Sequence, residues 1–440
     1  MQNKLPIKSM NNKPCKTEVT ALSHDGRGIA HVSGKTVFIA NALPNEEVTF
    51  TYLKRHKNYD EAKAEEILSI SPERTLPLCP HFGICGGCSL QHLKHDLQIR
   101  LKQQTLLEQL QHFGNCAPQH LLPPLVGPIW GYRNKARLAV KYVEKKGKVL
   151  IGFHEKNGRF IADLTICPIL HHSIGEKITI LSNLIGKLSI FDQIPQIEIA
   201  ATDLITALVL RHLKEFNDQD HIQLNVFAQQ HNFKIYLQPQ GINSIHCLHD
   251  ESPFLSYRLP QHNLELLFHP TDFTQTNHAI NQKLIAQALT LMEPNAQDII
   301  LDLFCGIGNF SLPLARYSKK VVGIEGEAAM VGRAQANALH NQIENAEFHR
   351  ADLTLGLATH LAQIKFNKIL LDPPRTGALE IIPRIAQLKP QKILYISCNP
   401  ATLARDLKEL VAQKFTLTHA GIIDMFPHTQ HVEAMALLSL

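Results

Sequence analysis

The sequence predicts a multidomain α/β protein with a small β-barrel, a mixed α+β central domain and a domain built on a parallel sheet. Three observations carry this prediction. Short strands broken by glycine turns fill residues 1–72, a cysteine cluster opens residues 73–270, and strands alternate with helical stretches through residues 271–440. A chain of 440 residues is also longer than one ordinary domain.

Composition narrows the possible classes of protein. The chain is 44% hydrophobic, but it has no uninterrupted run of about 18 apolar residues, so a membrane span is not expected. The N-terminal stretch MQNKLPIKSMNNKPCK is polar and lacks the apolar core of an export signal. Nine cysteines in such a chain favour metal-binding or catalytic thiols over disulfides. We therefore expect a cytoplasmic protein.

The first segment reads as a β-barrel of the OB type. Val48, Phe50 and Tyr52 alternate with threonines, which is the period of a half-buried strand. Glycine turns and a Leu-Pro-Asn corner punctuate the neighbouring stretches. The pattern predicts the barrel but says little about a ligand.

The second segment opens with closely spaced cysteines. Cys79, Cys85 and Cys88 follow the pattern C-x₅-C-x₂-C, and Cys167 is a distant fourth thiol. Four thiolates suit zinc or an iron–sulfur cluster, and the spacing alone leaves both open. An amphipathic helix follows, whose leucines and Phe113 are expected in the core.

A basic stretch, residues 131–160, lies within the same segment. It holds nine Lys and Arg residues against two glutamates, although the whole chain carries a net charge of only +5. A solvated hairpin could carry this charge, but a one-sided basic stripe is also what a polyanion would bind. Both interpretations stay open at this point.

The third segment alternates strands and helices, as in a βαβ series with a parallel sheet. In DIILDLFCGIGNFSLPLA, Gly306 and Gly308 form a turn between a strand and a helix, and Ser311 stands where a dinucleotide-binding loop has its third glycine. Glu325 ends the next strand, where an acid can hold ribose hydroxyls. A ligand without a pyrophosphate, S-adenosylmethionine, fits this pattern better than a dinucleotide. Asp352, after the third strand, is placed to meet the adenine amine.

Two further strands carry the expected chemistry. DPPRTG has Arg375 after the two prolines, where enzymes that methylate an exocyclic amine usually have an aromatic residue, so a ring carbon is the expected target. The C5 of uracil becomes nucleophilic only when a thiolate adds at C6. Cys398, at the edge of the strand KILYIS, is the candidate thiol.

A base must then remove the C5 proton. Glu433 in HTQHVEAMALLSL is the candidate, with His428, His431 and Asp372 as rivals.

Together, LDLFCGIGNF, DPPRTG, SCNPATLARDL and HTQHVEAMALL resemble the RNA uracil-5-methyltransferase family over the last third of the chain. The resemblance implies that Cys398 is the nucleophile and Glu433 the base. It also implies a Rossmann-like methyltransferase domain that binds S-adenosylmethionine. The implied cofactor contacts, taken motif by motif, are Gln275 in DFTQTN, Phe304, Asn309, Glu325, Asp352 and Asp372.

The barrel and the cysteines resemble the branch of the family that acts on 23S ribosomal RNA. That resemblance implies a TRAM-type barrel, a [4Fe–4S] cluster on Cys79, Cys85, Cys88 and Cys167, and RNA contact through the basic stripe, with Arg133 as a candidate. It implies no membrane and no obligate protein partner. Two alternatives remain: the same chemistry on another ribosomal or transfer RNA uridine, and an iron–sulfur RNA-binding protein without catalysis.

Overall fold

The computed structural model describes residues 14–156, 158–249, 254–356 and 364–440. Their contacts divide the chain into two compact units. The first comprises the described part of Met1–Gly83 together with Cys88–Leu101 and His428–Gln430, and the second comprises Ile84–Gly87, Lys102–Pro427 and His431–Leu440. The division into three domains at 72/73 and 270/271 stays a prediction. No helix in the described ranges is long and apolar enough to cross a membrane.

The first unit is β-rich, as predicted. Its strands are β1 (Cys15–Glu18), β2 (Ala21–Leu22), β3 (Gly28–Val32), β4 (Lys35–Ala40), β5 (Glu47–Arg55) and β6 (Tyr59–Ile67). They form one sheet in the order β1-β5-β6-β4-β3-β2, so its two edge strands are consecutive in the chain. Val48 and Phe50 on β5 are fully buried, and Tyr52 packs against Phe50 with its ring centroid 5.2 Å away.

Helix α1 (His95–Gln109) follows, and it continues into one π-helical turn over Leu110–Gly114. Leu106 and Leu110 are buried as the apolar spacing predicts. Phe113 is instead 57% exposed, so its predicted place in the core was wrong. A π-helical turn has more residues than an α-helical turn, and it therefore rotates the following side chains off the apolar face.

The second unit contains a mixed sheet, a two-stranded hairpin and a large sheet. The mixed sheet has the order β13-β12-β11-β10-β8-β9. Its strands are β8 (Lys135–Val143), β9 (Lys148–Gly152), β10 (Gln196–Ala201), β11 (Thr206–Arg211), β12 (Phe233–Gln238) and β13 (His246–Cys247), accompanied by helices α2 (His172–Gly175), α3 (Ile178–Ile185) and α4 (Asp218–His231). The hairpin is β14 (Leu255–Leu259) with β15 (Leu264–Phe268).

The large sheet has the order β18-β17-β16-β19-β20-β22-β21-β7. Its strands are β7 (His120–Leu121), β16 (Ile299–Leu303), β17 (Lys320–Glu325), β18 (Ala346–Arg350), β19 (Lys368–Leu371), β20 (Lys392–Ser397), β21 (Thr416–Ile423) and β22 (Glu433–Ser439). The described helices beside it are α5 (His278–Met292), α6 (Ser311–Ala315), α7 (Ala328–His340), α8 (Ile382–Gln387) and α9 (Pro400–Ala412).

Strands β16 to β20 are parallel, which confirms the predicted βαβ series. The order reverses at β16, which pairs with β17 on one side and with β19 on the other. In open α/β sheets, ligands bind at the carboxyl ends of the strands beside such a reversal. Strands β21 and β22 extend the sheet as an antiparallel hairpin that the sequence analysis did not predict.

Candidate active site

The glycine turn after β16 has the backbone geometry of a ligand-binding loop. Gly306 and Gly308 have φ values of 56° and 93°, in the left-handed region. Phe304 also has a positive φ, 64°, which is strained for an aromatic residue. Such strain costs about 1–3 kcal/mol and is concentrated at functional sites. The turn is closed by Gly308 N, which donates to Cys305 O at 3.0 Å.

Glu325, at the end of β17, is fixed by backbone amides from two sides. Its Oε2 accepts from Gly306 N at 3.1 Å, and its Oε1 accepts from Gly326 N at 2.7 Å and from Glu327 N at 3.1 Å. The carboxylate therefore lies against the glycine turn, where it was predicted to meet a ribose.

Asp302 lies near the end of β16, four residues before Gly306. It is buried on β16, and its Oδ2 accepts from the Ser311 hydroxyl at 2.5 Å. Burial, aided by the charges of Asp372 and Glu325, raises the pKa of Asp302 to about 7, although the hydrogen bond from Ser311 opposes the shift. Ser311, which stands where a dinucleotide-binding loop has its third glycine, thus connects the start of α6 to β16 by a hydrogen bond.

Two predicted cofactor residues are held by other side chains. Gln275 is buried, and its Nε2 donates to Asp372 Oδ2 at 3.3 Å. Asn309 pairs reciprocally with Asn281, at 2.8 and 2.9 Å, and its Oδ1 also accepts from the Tyr257 hydroxyl at 2.8 Å. Gln275 and Asp372 therefore lie together, whereas the Asn309 side chain is already engaged by helix α5 and strand β14.

Asp352 follows β18 at the carboxyl edge of the same sheet, but its side chain is exposed. Its Oδ1 accepts from the Thr354 hydroxyl at 2.7 Å and from Thr354 N at 2.9 Å, and these bonds lower its pKa. In the structure Asp352 therefore caps a turn, and its predicted contact with adenine stays a prediction.

Cys398 is held in a short turn between β20 and α9. Pro400 occupies the first turn of α9, and Asn399 caps the helix by accepting from Ala401 N at 3.2 Å. The Asn399 side chain also donates to Arg375 O at 3.0 Å. The turn is thereby tied to the DPPR loop that carries Asp372, and the thiol is half-buried.

Glu433 is brought to the same edge by an antiparallel strand. Strand β22 begins where β20 ends, and their register pairs Ser397 with Ala434. Continuing this register by one residue places Glu433 opposite Cys398. Glu433 is 4% exposed, and its Oε2 has no hydrogen-bond partner among the described residues. An unsatisfied buried carboxylate oxygen beside a thiol is suited to accept a proton from a substrate.

These groups influence each other electrostatically. Burial raises the pKa of Glu433 to about 8, with Asp372 raising it and Lys102 lowering it. Burial also raises the pKa of Asp372 to about 7. The pKa of Cys398 is raised by burial and by the carboxylates of Glu433 and Asp372, and Arg375 opposes this shift. A site with several buried acids favours a cationic ligand, such as a sulfonium.

The two rival histidines have different surroundings. His431 is exposed as a whole residue, but partial burial of its ring, together with Arg375, Lys102 and Arg133, lowers its pKa. His428 belongs to the first unit, where its backbone N donates to Gln98 Oε1 at 2.9 Å and its Nδ1 lies 3.2 Å from Gln98 Nε2.

Lys102 and Asp424 form a buried ion pair that no sequence motif predicted. Lys102 Nζ donates to Asp424 Oδ1 at 2.6 Å, and the two side chains are 1% and 0% exposed. A signal was present, because Asp424 stands inside the apolar run GIIDMF. Charged residues are almost never fully buried unless they are paired.

The candidate cluster cysteines are free thiols. None of the nine cysteines, all of which are described, forms a disulfide. Within the described ranges, no group of three His, Cys, Asp or Glu side chains is placed to hold a metal ion. Four thiols are donors of the kind that an iron–sulfur cluster takes, and no reaction step below uses a cluster.

A parallel sheet with a glycine turn, an acid on the second strand and a thiol facing a buried carboxylate is the arrangement of a methyltransferase. The model of the family described as tRNA (uracil-5-)-methyltransferase matches residues 161–440. The chain is 52% identical to 23S rRNA (uracil(1939)-C(5))-methyltransferase RlmD of Nitrosococcus oceani, covering 98% of this chain and 97% of that one. It is 49% identical to the protein of the same name from Alkalilimnicola ehrlichii, covering 97% and 96%.

A solved structure is similar over nearly the same length. The Pyrococcus abyssi tRNA (uracil-54, C5)-methyltransferase in complex with S-adenosyl-L-homocysteine is 25% identical, with a TM-score of 0.74, covering 96% of this chain and 100% of that one. Fold and site therefore define an S-adenosylmethionine-dependent methyltransferase. The chain belongs to the tRNA (uracil-5-)-methyltransferase family.

Proposed function

We propose that the protein methylates C5 of a uridine in 23S ribosomal RNA, at the position equivalent to 1939, in the cytoplasm. Relatives named for that activity are 52% and 49% identical over nearly the whole chain. The observation that carries the chemistry is the β20–β22 register, which sets Glu433 opposite Cys398 beside Asp372.

The reaction follows from the chemistry of these two side chains. The Cys398 thiol loses its proton, and the thiolate adds to C6 of the uracil so that C5 becomes nucleophilic. S-adenosylmethionine supplies the methyl group. Glu433 then takes the proton from C5, the C–H electrons restore the C5–C6 double bond, and the Cys398 thiolate leaves. The candidate holders of the cofactor are Gln275, Phe304, Asn309, Glu325, Asp352 and Asp372.

The direct test is methyl transfer to RNA. Purified protein with radiolabelled S-adenosylmethionine should label 23S ribosomal RNA taken from cells that lack the gene, and 5-methyluridine should be recovered at one position. Labelling of transfer RNA alone would assign the same chemistry to another substrate. RNA binding without any labelling would favour the alternative of a non-catalytic RNA-binding protein.

The RNA surface is proposed to include the hairpin of β8 and β9. A groove of about 820 Å³ lies along it, and its basic lining residues are Arg137, Lys141, Lys145, Lys146 and Arg159. Phe160, which also lines it, is 66% exposed and available to stack on a base. Lys135 belongs to the same stripe, but its ammonium is half-buried and donates to the Asp272 carbonyl, so it is better suited to hold the hairpin.

We expect Lys141, Lys145 and Lys146, changed together to Ala, to weaken RNA binding and to reduce its dependence on salt. Each phosphate contact that is lost should lower the slope of log K against log salt by about 0.7 to 0.9. The matched control changes three other exposed lysines of the same unit, Lys389, Lys408 and Lys414, to Ala. Equal salt slopes for the two triple variants would mean that the groove is an ordinary solvated surface.

The four cysteines are proposed to hold a [4Fe–4S] cluster. This proposal is supported by the resemblance of the cysteine pattern to the ribosomal RNA branch of the family, and the four thiols are free to act as ligands. Anaerobically purified protein should be brown and contain iron and sulfide in the cluster's ratio, and Cys85→Ser should lose both, whereas Cys247→Ser should keep them. Stoichiometric zinc without iron in the anaerobic protein would contradict the assignment. Because ligation and folding are coupled, Cys85→Ser should also be less soluble.

A further inference from the structure

The buried pair of Lys102 and Asp424 has no part in the reaction described so far. The Lys102 ammonium, on α1, donates to Asp424 Oδ1 at 2.6 Å and to the Phe426 carbonyl at 2.9 Å. Burying two charges costs several kcal/mol for each ion, and a well-packed apolar pair of similar size is often at least as stable. A pair this deeply buried therefore calls for an explanation beyond stability.

Asp424 directly follows β21, the strand that pairs with the strand carrying the candidate base. Ile423, the last residue of β21, is the cross-strand partner of Glu433, and Asp424 is the next residue along the chain. The ammonium that Asp424 holds acts on Glu433 across the buried interior. The other groups that interact with Glu433 are the Asp372 carboxyl after β19 and the Cys398 thiol after β20, and neither is a cation. His431 stands two residues before Glu433 in the chain. Arg375 acts on Cys398 and His431.

We propose that Lys102, held by Asp424, is a positioning residue that favours the ionised form of Glu433, which is the form that can remove the C5 proton. This inference rests on the proposed function, in which Glu433 is the base. A carboxylate surrounded by apolar side chains and by Asp372 tends to stay protonated, and a protonated carboxyl cannot accept the proton from C5. A cation close by offsets that tendency. Burial lowers the pKa of Lys102, and Asp424 and the Phe426 carbonyl oppose this by favouring the charged ammonium.

The test is the pH dependence of adduct breakdown in Lys102→Met, which keeps the aliphatic stem and removes the charge. In the wild type, breakdown of the methylated Cys398–RNA adduct should accelerate as pH rises, because the base acts deprotonated. Without the ammonium the pKa of Glu433 rises, so the pH range in which the breakdown rate increases moves to higher pH. This pH range is called the rising limb below. For each pH unit by which the pKa of Glu433 rises, adduct breakdown at neutral pH should slow about tenfold. At alkaline pH the rate should return to that of the wild type. Adduct formation should stay close to the wild-type rate.

The matched control is Lys368→Met. Lys368 pairs with Asp298 at 2.5 Å in the same unit, and the two side chains are only 5% and 4% exposed. Lys368 begins β19 at the amino edge of the sheet, opposite the candidate active site. Both variants leave a buried carboxylate unpaired and should lose a comparable amount of stability. Only Lys102→Met should move the rising limb of the breakdown rate to higher pH.

If Lys102→Met does not fold, Lys102→Met with Asp424→Asn removes both charges and decides the question. Lys102 is the cation that lowers the pKa of Glu433, so this double variant should move the limb in the same direction. If the variant that folds shows the same pH dependence of adduct breakdown as the wild type, the inference is wrong. Failure of Glu433→Gln to trap an adduct would instead overturn the assignment of the base, so the two failures can be told apart.

Discussion

Cys398→Ala is expected to abolish both product and covalent capture of RNA. The thiolate must add to C6 before C5 can attack a methyl group, so no later residue compensates for its loss. S-adenosylmethionine binding should persist, because the glycine turn and Glu325 lie two to three strands away from β20 in the sheet. The measurement combines labelled methyl transfer, a denaturing gel for the protein–RNA adduct and calorimetric titration of the cofactor.

The control for this prediction is Cys247→Ala. Cys247 is also half-buried, and its Sγ donates to Ile235 O at 3.6 Å on the edge of the mixed sheet. That variant should retain full activity. Residual turnover in Cys398→Ala above the level of the uncatalysed reaction would contradict the covalent route.

Glu433→Gln is expected to trap the intermediate that Cys398→Ala cannot form. Glutamine keeps the shape of the side chain but cannot take the C5 proton, so sulfur stays bonded to a methylated base. Turnover should fall by about 10²-fold or more, the usual contribution of a positioned base. The variant should run on a denaturing gel as a protein–RNA adduct that already carries one labelled methyl group.

Asp372→Asn and His431→Ala test the rivals in the same assay. His431 is exposed at the start of the segment that leads into β22, whereas Glu433 is buried and opposite Cys398. We therefore expect His431→Ala to turn over without accumulating an adduct. Trapping by His431→Ala together with normal turnover by Glu433→Gln would reassign the base.

The stability of Glu433→Gln against pH gives an independent measurement. The pKa of Glu433 rises from 4.5 to about 8 on folding. A raised pKa means that the folded state binds the proton more tightly, so the stabilisation is complete below the unfolded pKa and is lost as pH rises to about 8. From about pH 6 to about pH 8 the wild type should therefore lose more of its free energy of unfolding than Glu433→Gln does.

Much of the candidate site could be predicted because its motifs are contiguous in the chain. A strand, a glycine turn and a helix follow one another around Gly306 and Gly308, so local patterns place the turn at the carboxyl edge of the sheet. The same holds for Cys398 between β20 and α9. Phe113 shows where local periodicity fails, because one π-helical turn moves a side chain off the predicted face.

The sequence by itself predicted the β-rich first segment, the parallel sheet and the family. It also predicted that the Cys398 thiol follows a strand of that sheet. Only the tertiary structure decided what surrounds that thiol. Glu433 meets Cys398 through the register of an antiparallel strand, and a shift of one residue would turn its side chain to the other face. Lys102 and Asp424 are 322 residues apart, yet they form one buried pair. Register and burial depend on packing between distant segments, which no local pattern contains.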